Sequence, residues 1–490
     1  MSRTSALCML ILLSATVAPD VAASDAPSPA VHNAPSFNTI ILGWDGAQRD
    51  HFLQCYNRGE LPNVKALSRG RIWNITVTSG ATSTKCGWAQ ILSGYSADTM
   101  GIYDNNDYRP LPPGLSIFEK LKNHFGPGNI ITLFIANGGT NLGGACAGEI
   151  SDPSAPGLGI EKKGQPWCNA QSAIDVFRND VGPDDAVGDL ALELIDRYQH
   201  HPFFAFFHFH EPDKTGHESG ENSEAYSRAL MRNDAWLGRI RAELSDAGLA
   251  SRTCIYVVSD HGFDKGTANH RNAPYTTLAS NDSAIVRNGD RMDIAPTVLD
   301  RYGIHAAEDT GLPPVNGSSL HSLPSVACIN EDGAFLRYPG APRPCAGLTI
   351  ISLAKPAMEK SRLVCIPATG GDGDSSGYVT RCGDGICASP ETPCNCPGDC
   401  GGTAFSRNTS GSLKRMTMPV FPGMQVQIDI KDILGRDVRR LASTVQQPDA
   451  QRIVWNGSDK YGRPVAFGPY LYIVSLNNVS ARVEMLIVGE

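Results

Sequence analysis

Two stretches of this chain end apolar runs in carboxylates and imidazoles: FFAFFHFHEPDKTGH, from Phe203, and CIYVVSDHG, from Cys254. In the first, Asp213 and His217 stand four apart, a spacing that puts both on one face if the chain past Pro212 turns as a helix. In the second, Asp260 and His261 are adjacent, just past Ile255-Tyr256-Val257-Val258. A third apolar run, 39–42, leads into Gly43-Trp44-Asp45-Gly46, and His270 follows the second stretch in a Gly- and Asn-containing loop. Carboxylate and neutral imidazole are the donors that hold zinc and related divalent cations. Placed where strands stop, they suggest a two-metal site at the carboxyl edge of a parallel sheet. Taken singly, each has a plainer reading: a capping Asp with a solvated His, or an Asp in an Asp-Gly turn. Taken together, they favour metal.

A fourth stretch, VTSGATSTKCGWAQILSGYSADTMGIYDNNDY from Val77, places Thr82, Ser83 and Thr84 before a short helix expected over 87–92 and closed by Ser93-Gly94. A hydroxyl at a helix N-terminus meets unpaired backbone N–H groups and the positive end of the dipole, which suits a nucleophile that must hold an anion. The same position suits a residue that only caps the helix. The residue types alone leave both readings open.

The elements that must carry these groups alternate. A helix and a strand are expected within 113–135, a Gly-rich loop over 136–164, an amphipathic helix over 184–198, a long helix over 224–247, and a helix in 292–304. Alternating strand and helix from about residue 38 to 325 predict an α/β domain with a mainly parallel sheet flanked by helices. Cysteine density then rises, with eight in 328–400, and periodicity fades, which predicts a disulfide-stapled module over 326–402. Within it, zinc on Cys394, Cys396 and Cys400 is the competing reading, and Asp384, Glu391 and Asp399 are a weak calcium candidate. Residues 403–490 alternate apolar and polar positions in short runs, at 425–430, 452–455, 470–475 and 482–488, as an immunoglobulin-like β-sandwich requires. No catalytic grouping is evident in either C-terminal part.

With 41% hydrophobic and 19% charged residues the chain is globular, and a net charge of -8 without a basic stripe argues against a nucleic-acid-binding surface. Arg3, the apolar run 6–18 and Val21-Ala22-Ala23 have the pattern of a cleavable secretory signal over 1–23, followed by an Ala-, Pro- and Ser-rich linker over 24–37. No later run is long enough to span a bilayer. Export would place the protein outside the cell, in the periplasm or at the cell surface, where most cysteines would pair; Cys146 with Cys168 is one plausible bridge. The C-terminal domain offers possible contact with a cell surface.

Glu211-Pro-Asp213-x-x-Gly-His217-x-x-Gly220, Ser259-Asp260-His261-Gly262 and Trp44-Asp45-Gly46 together resemble the metal motifs of the alkaline phosphatase superfamily, in particular its type I phosphodiesterase and nucleotide pyrophosphatase branch. The resemblance covers about residues 38–304, where Asp293-Ile294-Ala295-Pro296-Thr297 resembles a structural helix start. It implies a sulfatase-like fold and a Thr or Ser nucleophile ten residues before the Gly of a Thr/Ser-Gly pair, which is Thr84 counted back from Gly94. It also implies that Asn105, in Gly101-Ile102-Tyr103-Asp104-Asn105, helps hold a phosphoryl oxygen. Two zinc ions are implied, one on Asp213, His217 and His270, the other on Asp45, Asp260 and His261 with Thr84; these donors also admit manganese. The implied activity is hydrolysis of a small-molecule phosphodiester or pyrophosphate through a phosphothreonine. Phosphomonoesterase and phosphoryl transferase activities are the alternatives within the superfamily, and a non-catalytic surface-binding protein is the alternative outside it.

Three departures qualify the resemblance. Sulfatases carry Cys-x-Pro-Ser-Arg at the nucleophile, whereas this chain has Thr84-Lys85-Cys86-Gly87-Trp88, so the modified-cysteine chemistry of sulfate esters is not supported. His270 follows His261 by nine residues, a spacing closer to mutase-like members than to the pyrophosphatase branch. Met100 stands where the branch has a His before Gly-Ile.

Overall fold

A computed structural model describes residues 33–147, 164–305 and 311–324, with parts of 328–396 and 425–488. The expected signal 1–23, most of the linker, residues 148–163 of the Gly-rich loop, the expected strand 452–455, and Asp384, Glu391, Cys394, Asp399 and Cys400 lie outside the described residues. The chain divides into two compact units, 1–396 and 397–490.

The first unit is built on an eight-stranded sheet. Its strands are β1 (Asn38–Trp44), β2 (Ile72–Thr76), β3 (Ile131–Ala136), β4 (Val176–Arg178), β5 (Phe203–Phe209), β6 (Thr253–Val258), β7 (Tyr275–Ser280) and β8 (Gly289–Asp290), in the order β4-β3-β5-β1-β6-β7-β2-β8. From β4 to β6 every pairing is parallel, while β7 runs antiparallel to β6 and β2. The central triplet β5-β1-β6 is thus the one whose carboxyl ends carry the Asp/His motifs, side by side.

Those three strands are buried on both faces, and alternation sorts their side chains between two cores. Ile41, Phe204, Phe206 and Tyr256 face one core, with α3 (Thr84–Ile91), α5 (Ile117–Phe125) and α9 (Ile294–Arg301). Ile40, Leu42, Phe203, Ala205 and Val257 face the other, with α1 (Arg49–Asn57), α2 (Pro62–Ser68), α6 (Asp184–Arg197) and α8 (Glu224–Asp246). The long helix α8 buries the stripe Leu230, Trp236, Ile240 and Leu244, as its spacing predicts. Two shorter helices are α4 (Ala97–Met100) and α7 (Asp213–Ser219), the latter just past the end of β5.

One helix differs from expectation. α3 begins at Thr84, three residues before the expected 87, because Ser83 is extended and the first turn closes from Ser83 O to Gly87 N at 2.8 Å. Gly87 lies inside that helix for a steric reason: a Cβ there would meet the Asp260 Cβ at 2.5 Å.

Beyond the large sheet come β9 (Ala334–Phe335), β10 (Thr349–Ile351) and β13 (Gly377–Thr380) in one small antiparallel sheet, and a hairpin of β11 (Lys355–Glu359) with β12 (Arg362–Ile366). Cys328–Cys345 and Cys382–Cys396 bridge this segment, and Cys146–Cys168 forms as expected. Cys55, Cys86 and Cys254 are buried outside any disulfide. The segment also touches the large domain: Tyr378 donates to Thr78 O at 2.8 Å and Asn272 to Leu353 O at 3.1 Å.

The second unit holds β14 (Gln425–Asp432), β15 (Asp437–Thr444), β16 (Gly468–Leu476) and β17 (Val479–Val488), an antiparallel sheet in the order β15-β14-β16-β17. Three of its strands fall on the expected runs, and the sheet is consistent with a β-sandwich.

Candidate metal centre

The backbone brings the three motifs together before any side chain is considered. Asp45 extends the β1–β5 ladder by one residue, donating to Phe209 O at 3.0 Å, and its own carbonyl accepts from Asp213 N at 3.0 Å. Gly46 takes φ +67°, and a Cβ there would lie 2.9 Å from Asp213 Oδ1, so only glycine allows this approach. Asp213 opens α7 and His217 stands one turn later. Asp260 and His261 follow β6 directly, with the first turns of α3 packed on Asp260.

Each carboxylate is held by one oxygen and leaves the other without a donor. Asp45 Oδ2 lies 2.9 Å from His208 Nε2 and 3.5 Å from the Trp88 indole N–H, while Oδ1 is buried and unpartnered. Asp260 Oδ1 accepts from Gly46 N at 3.2 Å and its Oδ2 is unpartnered. Asp213 Oδ2 faces His210 Nε2 at 3.7 Å and its Oδ1 is unpartnered.

The imidazoles are arranged in the same way. His261 Nδ1 lies 3.0 Å from Gly262 O, His217 Nδ1 2.9 Å from Ala268 O and His270 Nδ1 2.6 Å from Thr82 O. A carbonyl can only accept, so in the neutral ring each Nδ1 carries the proton and each Nε2 presents a lone pair. These Nε2 atoms turn inward: His261 lies 3.5 Å from Asp45 Oδ1 and 3.3 Å from Asp260 Oδ2, His217 3.5 Å and His270 3.8 Å from Asp213 Oδ1, and His217 and His270 are 3.1 Å apart. Acceptors converge with no proton between them, and a cation satisfies that geometry. Asp45, Asp260 and His261 form one group within ligating range, and Asp213, His261 and His270 form a second, so His261 stands between the two. His217 borders the second group. The carboxylate and imidazole donors fit zinc or manganese.

For the protein groups alone the electrostatics are adverse. Burial, then the Asp260 and Asp213 charges, hold Asp45 well above the usual carboxylate range, and burial pushes Asp260 up to about 7. Burial depresses His261 and His270 to about 4, which keeps both rings neutral and ligating at neutral pH. Asp213 goes the other way: burial alone would raise it, but His210 and the surrounding imidazoles hold it at about 2.

Thr84 is the first residue of α3, and Ser83 takes the N-cap position without a side-chain cap bond. No hydrogen bond of the Thr84 hydroxyl is found among the described residues. Thr82 donates to His270 O at 2.5 Å, so it is committed to holding the His270 loop. Asn105 Oδ1 accepts from Lys85 N at 2.9 Å, which ties its turn to the start of α3 and turns its NH2 away from that contact.

Four residues around the centre were not singled out in the sequence. His208, buried in β5 opposite Gly43, supports Asp45; its only sequence signal is an imidazole within an apolar strand. Two positions on, His210 faces Asp213. Lys85 is buried beside Thr84, and burial lowers it to about 8. Arg291, fully buried, donates to Asp260 O at 2.9 Å and to Ser79 O and Ala81 O at 2.9 Å each, clamping the Asp260 strand end to the loop before α3. Nothing in a linear reading marks that arginine.

Against known proteins, the family model of type I phosphodiesterase / nucleotide pyrophosphatase matches residues 39–310. The 2,3-bisphosphoglycerate-independent phosphoglycerate mutase of Wolbachia pipientis wMel is 27% identical over 164 residues, 31% of this chain and 29% of that protein. Ectonucleotide pyrophosphatase/phosphodiesterase family member 1 of Mus musculus is 33% identical over 77 residues, 16% of this chain and 8% of that protein. The chain spans less than a third of the length of these curated relatives. Among solved structures, a phosphonate monoester hydrolase from Silicibacter pomeroyi aligns with 15% identity over 63% of this chain and 81% of its own, at a TM-score of 0.42. With more than half its length matched, and the motif residues gathered at one sheet edge, the chain belongs to the type I phosphodiesterase / nucleotide pyrophosphatase family of the alkaline phosphatase superfamily.

Proposed function

We propose that the protein is an exported, metal-dependent hydrolase of phosphodiester or pyrophosphate bonds that works through a phosphothreonine on Thr84. The observation that carries this is the convergence of unpartnered Asp45, Asp213 and Asp260 oxygens with His217, His261 and His270 lone pairs at the carboxyl ends of β1, β5 and β6. Two divalent cations, zinc first and manganese second, would be held by Asp213, His217 and His270, and by Asp45, Asp260 and His261 with Thr84. Bound there, they supply charge neutralisation to phosphoryl oxygens and make a hydroxyl or water acidic enough to attack.

The chain's own groups do the rest. Thr84 Oγ forms a bond to phosphorus as the bond to the leaving ester or pyrophosphate oxygen breaks, the hydroxyl proton passing to the leaving group or solvent, and water then cleaves the threonine adduct, releasing the remaining phosphate monoester and restoring the hydroxyl. Asn105, its amide oxygen held by Lys85 N, donates its NH2 to an equatorial phosphoryl oxygen. His208 and Arg291 keep Asp45 and Asp260 in place. Export is supported by the three disulfides found among the described residues, since such bonds persist in oxidising compartments. Contact with a cell surface through the C-terminal sheet belongs to the same reading.

Phosphoryl transfer to an acceptor other than water is the second reading, favoured by the short His261–His270 spacing and by the mutase relatives. Chromogenic phosphodiester, phosphomonoester and sulfate-ester substrates, assayed with and without zinc or manganese after chelation, test the proposal. Cation-restored cleavage of the diester is expected. Full activity in protein shown metal-free by elemental analysis overturns it.

A further inference from the structure

Lys85 is a cation buried to 5% exposure, one residue from the proposed nucleophile. Its ammonium carries three N–H donors. Two are used, on Asn105 O at 3.1 Å and Asn141 Oδ1 at 3.0 Å, and the Tyr108 ring lies 4.4 Å away. All of these partners are neutral. Among the described residues no carboxylate lies within ion-pair distance of it. Asp104, on the same turn as Asn105, spends its Oδ1 on Asn106 N and Asp107 N at 2.6 and 2.7 Å.

The Asp104 charge acts on Lys85 from beyond ion-pair distance, and a buried ammonium without a direct ion-pair partner is costly. The third donor needs an acceptor, and the setting says which kind. Lys85 N and Lys85 Nζ bracket Asn105 through its side-chain oxygen and its carbonyl, so the ammonium and the Asn105 NH2 belong to one rigid unit at the first turn of α3. Two other buried cations of the domain are accounted for: Arg291 bonds backbone carbonyls and Arg287 is paired with Asp293 at 2.9 Å. Arg291 also has only neutral partners, but its guanidinium makes five bonds to them, on Gln90, Asp260 O, Ser79 O, Ala81 O and Cys86, whereas the Lys85 ammonium, one residue from Thr84, makes two.

We propose that Lys85 is a specificity-determining residue whose ammonium meets an extra negative charge on, or next to, the phosphorus attacked by Thr84. Lys85 therefore favours substrates that carry this second charge relative to diesters that carry one. This rests on the phosphate-ester reading above and adds to it a selection by charge. No bond is made or broken by Lys85; it contributes electrostatic attraction and one charge-assisted hydrogen bond.

The test compares wild type with Lys85→Met and Lys85→Arg, all zinc-loaded and checked for metal content and melting temperature. Three substrates separate the two sources of extra charge: bis(4-nitrophenyl) phosphate has one charge, 4-nitrophenyl phosphate adds one on the attacked phosphorus, and a nucleoside diphosphate adds up to two on the neighbouring phosphate. Lys85→Met should lose on the order of 10- to 100-fold more in kcat/KM on one or both of the latter than on the diester, the scale of a hydrogen bond to a charged group. Lys85→Arg should recover most of that difference. Inorganic phosphate binding, measured by calorimetry on the same proteins, should weaken about tenfold in Lys85→Met. If Lys85→Met does not fold, Lys85→Gln removes the charge while keeping amide contacts. An equal loss on all three substrates with unchanged phosphate affinity would make Lys85 a structural clamp on Asn105 and overturn the proposal. If wild type cleaves none of the three, the phosphate-ester reading fails, and phosphate binding still decides whether Lys85 meets an anion.

Discussion

Strand β6 has a buried acidic cluster at each end, and the two are opposites. Past its carboxyl end, Asp260, Asp45 and Asp213 each keep one oxygen without a donor. Near its amino end, Asp282 has donors on both: Arg301 at 3.0 Å and Ala284 N at 3.1 Å on Oδ1, Tyr256 and His321 Nε2 on Oδ2, the last at 2.9 Å. His321 is held in turn by Asp300 at 2.9 Å. Burial would raise Asp282, but His321, Tyr256 and Arg301 outweigh it and hold it at about 2, while burial pushes Asp260 up to about 7. Composition does not separate these clusters, since both contain Asp and His. Donor accounting does: a satisfied cluster stabilises the fold, and one made only of acceptors requires a cation.

The largest effect should come from Thr84→Ala, which removes the proposed nucleophile from the acceptor-rich end. Turnover should fall on the order of 10³-fold or more, with metal content and melting temperature little changed, because Thr84 makes no cap bond. Mass spectrometry of protein quenched in acid during turnover should map phosphate to Thr84. Phosphate on Thr82 or Ser83 would relocate the nucleophile.

Paired substitutions at the two ends of β6 sharpen the comparison. Asp282→Asn should destabilise by about 2–3 kcal/mol in urea or thermal unfolding, below the range for fully enclosed pairs because its cluster is partly open. Asp260→Asn, assayed in chelator, should hold or raise stability, since it removes a buried charge that lacks a full set of donors. With zinc added it should lose bound metal by elemental analysis. Equal destabilisation of both variants in chelator would erase the distinction.

A pH series tests the satisfied end further. Burial alone would lower His321, but Asp282 and Asp300 outweigh it and raise its pKa in the fold above 6.5. Its contribution is therefore complete below the unfolded value of about 6.5 and is lost as pH rises through the folded value. The stability gap between wild type and His321→Gln should be widest near pH 6 and narrow toward alkaline pH. A gap that widens with pH refutes the ion-pair reading.

The smallest expected effect lies at the join between the large sheet and the strands after it. Tyr378→Phe removes one hydrogen bond to Thr78 O and should cost about 0.5–1.5 kcal/mol. Unchanged unfolding would mean that β13 rests on the large domain without that contact supporting it.

Much of the candidate centre was legible in the linear chain because most of its Asp and His residues stand at or just after apolar runs that become strands. An apolar run closed by Asp or His marks such a place. The four-residue spacing of Asp213 and His217 became one turn of α7, and β5 and β6 fell on their apolar runs. The start of α3 was less legible, since Gly87 is a poor helix former and its purpose is the close approach to Asp260. Strands β2 and β7 were not anticipated: polar residues such as Asn74, Thr276 and Thr277 interrupt their apolar pattern, and pairing across the sheet supplies what the local sequence does not.

By itself the sequence determined residue type and local spacing, and hence the candidate ligands Asp45, Asp213, His217, Asp260, His261 and His270, along with the strand-helix alternation that frames them. Only the tertiary structure decided which oxygens and nitrogens lack a proton donor, that His208 and Arg291 support the centre from 163 and 31 residues away from Asp45 and Asp260, and that Lys85 is buried among neutral partners. The physical reason is that hydrogen-bond satisfaction and desolvation belong to a place in space. Neighbours far apart in the chain create that place.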